Sequence, residues 1–351
     1  MKNAVLTVFS GLLLTVAAGC SVATPSGPIR PAVPPLRKAE AAKIKARCAA
    51  IKKAIAPLAV RGIGLYPRAF NSGYSPESIC KFIKSAGFNR IYFHISSETE
   101  LDDRMKEFLA AAKKSGIPVM ITVRQQDFYA RHRGNRLLRN IRDEYPGLDG
   151  AVRHILQFNS TLPEECGKIC GITVIMEPHR STSENSVPGQ RYAWSEKTFG
   201  PGLDNDLLMA DTIETCRRLD TGSLPLTIAF PDFYHDLVKA GKLTCGKVDD
   251  FRNCRKPAPE ILIMSSGNKP GQVVSGIREE ISSVRSRSSI LLGIELAGHV
   301  SISGDKLRRR DWRDLTRAVK YIVDNYKKYP EFRGVVISPL AVFEYLIMEQ
   351  D

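Results

Sequence analysis

The stretch Gly171-Ile172-Thr173-Val174-Ile175-Met176-Glu177-Pro178-His179 decides the fold. Its apolar, β-branched run is too short for a helix and ends abruptly in a carboxylate, a proline and an imidazole. That is the pattern of a buried strand with a polar cluster just past its carboxyl end. A strand apolar on both faces has to be covered on both, the condition of a parallel sheet in an α/β fold. In such folds chemistry collects where the strands end. Ile290-Leu291-Leu292-Gly293-Ile294-Glu295-Leu296-Ala297-Gly298-His299 repeats the pattern.

Outward from these two runs, strands and helices alternate. Strands are expected at 63–66, 90–95, 118–124, 171–176, 225–230, 260–264, 289–295 and 332–338. Helices are expected at 39–59, 76–86, 101–115, within 130–158, and at 204–219, 273–286 and 311–328. Residues 180–203 and 236–258 read as polar excursions. Eight apolar strands separated by helices favour a closed (β/α)8 TIM barrel over an open doubly wound sheet. No Gly-x-Gly-x-x-Gly follows the first strand, which argues against a dinucleotide site. The length of 351 residues suits one large barrel, and 43% hydrophobic with 25% charged residues is ordinary for a globular chain.

In a barrel, residues following each strand share one rim. These are Tyr66 and Arg68, His94, Arg124 and Asp127, Glu177 and His179, Asp232 and His235, Ser265 and Asn268, Glu295 and His299, and Ser338. Four of the six histidines, His94, His179, His235 and His299, fall among them. Glu177 closes the fourth strand and Glu295 the seventh, so the two carboxylates are expected to face each other across the mouth. Such a pair can flank a glycosidic bond, one protonating the leaving oxygen and the other attacking the anomeric carbon. Tyr66 and Trp194 are expected either to stack on sugars or to pack as loop and core aromatics. Arg68, His94, Arg124, His179, Asp232, His235, Asn268 and His299 complete the set of expected substrate contacts. For His94, Arg124, His179 and Asp232, taken singly, a structural hydrogen bond or ion pair is the readier expectation than a direct catalytic role.

Met176-Glu177-Pro178-His179 and Gly293-Ile294-Glu295-Leu296-Ala297-Gly298 resemble the strand-four and strand-seven motifs of clan A, cellulase-like glycoside hydrolases. The resemblance implies a barrel hydrolase in which Glu177 is the acid/base and Glu295 the nucleophile, acting with retention. Met176 stands where that family has an asparagine for the sugar 2-hydroxyl. A barrel that binds glycan without cleaving it is an alternative. So is metal-assisted hydrolysis through His94, His179, Asp232 and His235.

The amino terminus reads separately. Met1-Lys2-Asn3 carries one positive charge, Ala4 to Ala18 is nearly all apolar, and Gly19-Cys20 follows. This is the layout of a secretory signal, and its apolar run is short for a membrane span. Ala17-Ala18-Gly19-Cys20 resembles the bacterial lipobox, which implies cleavage before Cys20, acylation of that residue and membrane anchoring. Ser21 after the cysteine implies outer-membrane sorting by the same resemblance. Residues 1–19 are therefore expected to be a lipoprotein signal peptide, and 20–37 a proline-rich tether. Residues 38–351 are expected to form the barrel domain.

Export permits disulfides. Cys245 and Cys254 bracket one polar loop and are the pair best placed to bridge. Cys166 and Cys170 lack a second ligand pair of matching spacing, and neither a metal nor another cofactor is called for. The net charge of +14 is spread along the chain without a nucleic-acid motif. The expected partners are a carbohydrate and, through the lipid, a membrane, with no nucleic acid. Oligomeric state is left open.

Overall fold

The structure is a computed structural model. It describes residues 38–67, 74–96, 100–124, 147–181, 192–265, 278, 280–281, 289–295 and 312–338. Cys20, Arg68, Asp127, Asn268 and His299 lie outside the described residues, as do the signal peptide and the whole of the tether.

Eight strands pair in chain order, and the last pairs with the first, closing the barrel. They are β1 (Val60–Leu65), β2 (Arg90–Ile95), β3 (Val119–Arg124), β4 (Gly171–Ile175), β5 (Leu226–Pro231), β6 (Glu260–Ser265), β7 (Ile290–Glu295) and β8 (Phe332–Ser338). Every pairing is parallel. The register slips once, where Ile290 pairs Phe332 and Leu291 pairs Gly334.

Between the strands run α1 (Lys38–Ile55), α2 (Pro76–Ser85), α3 (Asp103–Ser115), α4 (Gly147–Thr161) and α5 (Asp204–Arg218). These are followed by α6 (Phe233–Lys239), α7 (Val248–Arg252) and α8 (Trp312–Tyr326). Local chemistry sets the ends. Asp102 caps α3 by accepting from Met105 N at 3.1 Å, and Gly116 closes it at φ 67°. α6 and α7 correct the reading of 236–258 as irregular, and α6 begins as early as Phe233. At five to seven residues they are too short to show a helical period in the sequence.

Alternation along each strand divides the core. Ile63, Leu65, Ile91, Phe93, Ile121, Val123, Ile172, Val174, Ile228 and Ile263 point outward into the shell that packs on the helices. Val60, Tyr92, Met120, Ile175, Ala229, Leu262, Leu291 and Val336 fill the barrel interior. Gly62 makes room for that filling, since a Cβ there would lie 2.6 Å from a ring carbon of Tyr92.

The floor of the barrel is polar and fully engaged. Glu260, first residue of β6, pairs with Arg90, first residue of β2, at 2.9 Å. It also accepts from Thr227 at 3.1 Å and Ser289 at 2.8 Å, with the Tyr92 hydroxyl at 3.5 Å. Arg90 in turn donates to the Tyr92 oxygen at 3.2 Å. Burial comes first and Glu260 second in raising the Tyr92 hydroxyl above its ordinary value, so the phenol stays protonated.

Candidate active site at the barrel mouth

Glu177 lies two residues beyond β4 and is the first polar side chain after the strand. It is 4% exposed. Pro178, at the first position of a one-turn 3-10 helix (Pro178–Arg180), sets the turn direction. A 3-10 turn has three residues, so side chains three apart eclipse. That brings Arg180 back over Glu177, with Nε 3.0 Å from Oε1. On the other side Arg124, the last residue of β3, brings Nε to 2.9 Å from Oε2. The Arg124 approach is close but off the N–H axis, an ion pair rather than a directed hydrogen bond. Two guanidinium groups thus bracket one carboxylate.

Two histidines flank this cluster. His94, near the end of β2, is buried and stacks on Tyr66, with ring centroids 4.7 Å apart and planes 7° apart. Burial, then Arg124, pushes its pKa down to about 3. Its Nε2 is buried and has no hydrogen-bond partner among the described residues. His179 shares a 2.6 Å hydrogen bond between Nδ1 and the Tyr234 hydroxyl. Burial, then Arg180 and Arg124, brings its pKa down to about 4. Both rings are therefore neutral near pH 7, and Arg124 acts on both.

An aromatic wall stands behind His179. Phe233 and Tyr234 of α6 meet its ring edge-on at 5.0 and 5.8 Å, and Trp194 does so at 6.4 Å. Trp194 is 8% exposed and packed into the outer shell against Phe199, Tyr234 and His179. It is core rather than an open stacking platform. Tyr66 is half-buried and keeps a rim position.

Other expected residues fall differently. Asp232 accepts from Ser265 Oγ at 3.0 Å, which ties the β5 and β6 ends together. His235 is directed into the helical layer, where Nδ1 lies 2.9 Å from Glu280 Oε1. Glu280 also accepts from the Val248 amide at 3.2 Å. His94, His179, Asp232 and His235 therefore do not converge as a metal-ligand set. No group of three or more His, Cys, Asp and Glu side chains does so among the described residues. Met176 is fully buried in the outer shell. Strand alternation turns it away from the mouth. Glu295 ends β7 in register with Ser338.

Cys245 and Cys254 are both free thiols. The short helix α7 lies between them in sequence, and both line one pocket with Asp249, Asp250 and Asn253. Cys245 is near Asp250 and Asp206, whereas Cys254 is near Arg255, Arg217 and Glu214. Arg180 and Tyr234 were absent from the sequence-based site. The signal for Arg180 was present, because a proline directly after Glu177 announces a tight turn and places the next arginine within reach. Tyr234 carried no comparable mark.

No protein-family model matches the chain, and no curated protein does. Among solved structures it is similar to a β-glucosidase from Exiguobacterium marinum at 11% identity, covering 75% of this chain and 76% of that one, with TM-score 0.42. It is similar to a chitinase from Pseudoalteromonas aurantia at 10% identity, covering 80% and 94%, with TM-score 0.43. It is also similar to a D-psicose 3-epimerase at 12% identity, covering 80% and 85%, with TM-score 0.39. Glycoside hydrolases are thus among the structural neighbours, alongside barrels of other chemistry. At these identities the likeness speaks of the barrel alone.

Proposed function

We propose that the protein is a glycoside hydrolase, exported and held at the cell envelope by a lipid on Cys20, with Glu177 and Glu295 as its working pair. The observation that carries this reading is the buried Glu177 carboxylate, bracketed by Arg124 and Arg180 at the carboxyl end of β4. Three strands round the closed ring, β7 ends in a second glutamate.

The two ion pairs are the reason for giving Glu177 the attacking role. In that role its oxygen attacks the anomeric carbon while the bond to the leaving oxygen breaks. The proton for that oxygen comes from Glu295. Water then attacks the glycosyl ester, releases Glu177 and returns a proton to Glu295, giving net retention. His94 and His179, neutral at working pH, suit hydrogen bonding to sugar hydroxyls, and Tyr66 offers a ring face.

The test is hydrolysis of an aryl-glycoside panel by the full chain and by Glu177→Gln and Glu295→Gln. Both variants are expected to lose about a thousandfold or more in kcat/KM, in line with general-acid and nucleophile deletions. A variant that keeps full activity removes its residue from the mechanism. Azide rescue of Glu177→Gly and Glu295→Gly assigns the roles. A glycosyl azide of inverted configuration marks the nucleophile. The reading predicts that product from Glu177→Gly, and the family resemblance predicts it from Glu295→Gly. Incorporation of labelled palmitate, lost in Cys20→Ser, tests the anchor.

One observation favours a second reading, a glycan-binding barrel that does not cleave. Both oxygens of Glu177 are already engaged by guanidinium groups. Retention of an oligosaccharide by a wild-type protein inert on every glycoside would select it.

A further inference from the structure

Resting on the reading of the mouth as a glycan site, we propose that it takes a sugar bearing an anionic substituent. This would be a carboxylate, or a sulfate or phosphate ester, gripped by the terminal nitrogens of Arg124 and Arg180.

Each arginine meets Glu177 through Nε. A guanidinium carries five N–H donors in a planar fork. The terminal nitrogens of neither arginine hydrogen-bond to another group among the described residues. Glu177 therefore holds two forks side by side without using them up. One carboxylate between two guanidinium groups also leaves one positive charge unmatched within the cluster.

The neighbouring histidines do not add to that charge, because burial and the arginines keep both neutral near pH 7. Access is open. The Arg180 side chain is 56% exposed and that of Arg124 25%, against 6% for Glu177. A planar fork matches the two oxygens of a carboxylate, sulfate or phosphate in a bidentate pair, which a neutral hydroxyl cannot reproduce. His94 Nε2 is a buried polar atom with no partner among the described residues. Buried groups of that kind are costly unless something completes them, and a ligand atom in the mouth would do so. The net charge of +14 draws anionic polymers to the surface at long range.

The experiment compares the full chain on aryl glucuronides, galacturonides, 6-sulfoglucosides and 6-phosphoglucosides with their neutral counterparts, in both anomers. Binding of glucuronate, glucose 6-sulfate, glucose 6-phosphate and glucose is measured by calorimetry alongside. At least a tenfold preference for one charged class is expected, and the class preferred separates carboxylate from ester. Arg180→Ala and Arg180→Lys are expected to lower turnover or binding of the charged sugar at least tenfold. That loss should exceed any change on the neutral counterpart at least tenfold. Equal or better use of neutral sugars overturns the proposal, as does an Arg180→Ala effect that is the same on both. Cleavage confined to neutral glycosides and lost in Glu177→Gln would sink this proposal while leaving the hydrolase reading intact. Charged-sugar binding without cleavage of any glycoside would support it and sink hydrolysis.

Discussion

The two ends of the barrel each hold a glutamate against arginine, and they differ in how completely the polar groups are used. On the floor, Glu260 receives Arg90, Thr227, Ser289 and Tyr92, and Arg90 spends a further contact on Tyr92. In the mouth, Glu177 holds two arginines by one nitrogen each, and His94 Nε2 stays without a partner among the described residues. A closed network fixes strands in place. An open one, at the strand ends where the loops gather, leaves donors for something that arrives. The mouth carries one guanidinium more than its glutamate matches, and the count of unspent donors separates the two ends further.

The largest effect that can break this comparison is on catalysis. Glu177→Gln should cost about a thousandfold or more in kcat/KM. Glu260→Gln should leave kcat/KM within a few-fold. If both substitutions reduce activity alike, the division between the two ends fails.

Next comes stability. Glu260→Ala strands the Arg90 charge and removes the acceptor for Thr227 and Ser289. A loss of about 3 kcal/mol is expected by denaturant titration, toward the lower end for a broken buried pair because Arg90 is partly exposed. Gly62→Ala sharpens the same picture one layer higher. Its Cβ would meet the Tyr92 ring at 2.6 Å, and overpacking of this kind costs about 1–3 kcal/mol. An unchanged unfolding midpoint for that variant would show that the interior is looser than described.

A further effect is in acid. His94 and His179 are held neutral in the fold, at about 3 and about 4, against an ordinary 6.5. Below pH 6.5 the unfolded chain binds protons that the folded chain does not, so these histidines make stability fall as pH drops from about 6.5 to about 4. His94→Asn should flatten that part of the stability profile. An identical slope in the variant would show that His94 titrates normally.

Much of the fold was legible because each strand is a short apolar run and each break carries a turn residue. Gly171–Ile175 and Ile290–Glu295 were found almost to the residue. The helices Phe233–Lys239 and Val248–Arg252 were not found, since neither is long enough to display a period. At the site, Glu177, His94, Arg124 and His179 followed from their place after strands, and the structure gathers them. His235 followed from the same rule and went elsewhere, because α6 starts at once after β5 and its turn carries the ring to Glu280. Met176 looked decisive in sequence, yet alternation along the strand places it in the outer shell. Arg180 shows what the rule lacks, since reach across a turn matters as much as position after a strand.

The pairing of Glu177 with Glu295 is the central claim, and a crystal structure of the full chain with a sugar in the mouth tests it most directly. The account predicts carboxyl groups about 5–5.5 Å apart on either side of the anomeric carbon, the spacing of a retaining pair. A separation of about 10 Å, or Glu295 facing away from the sugar, would contradict it.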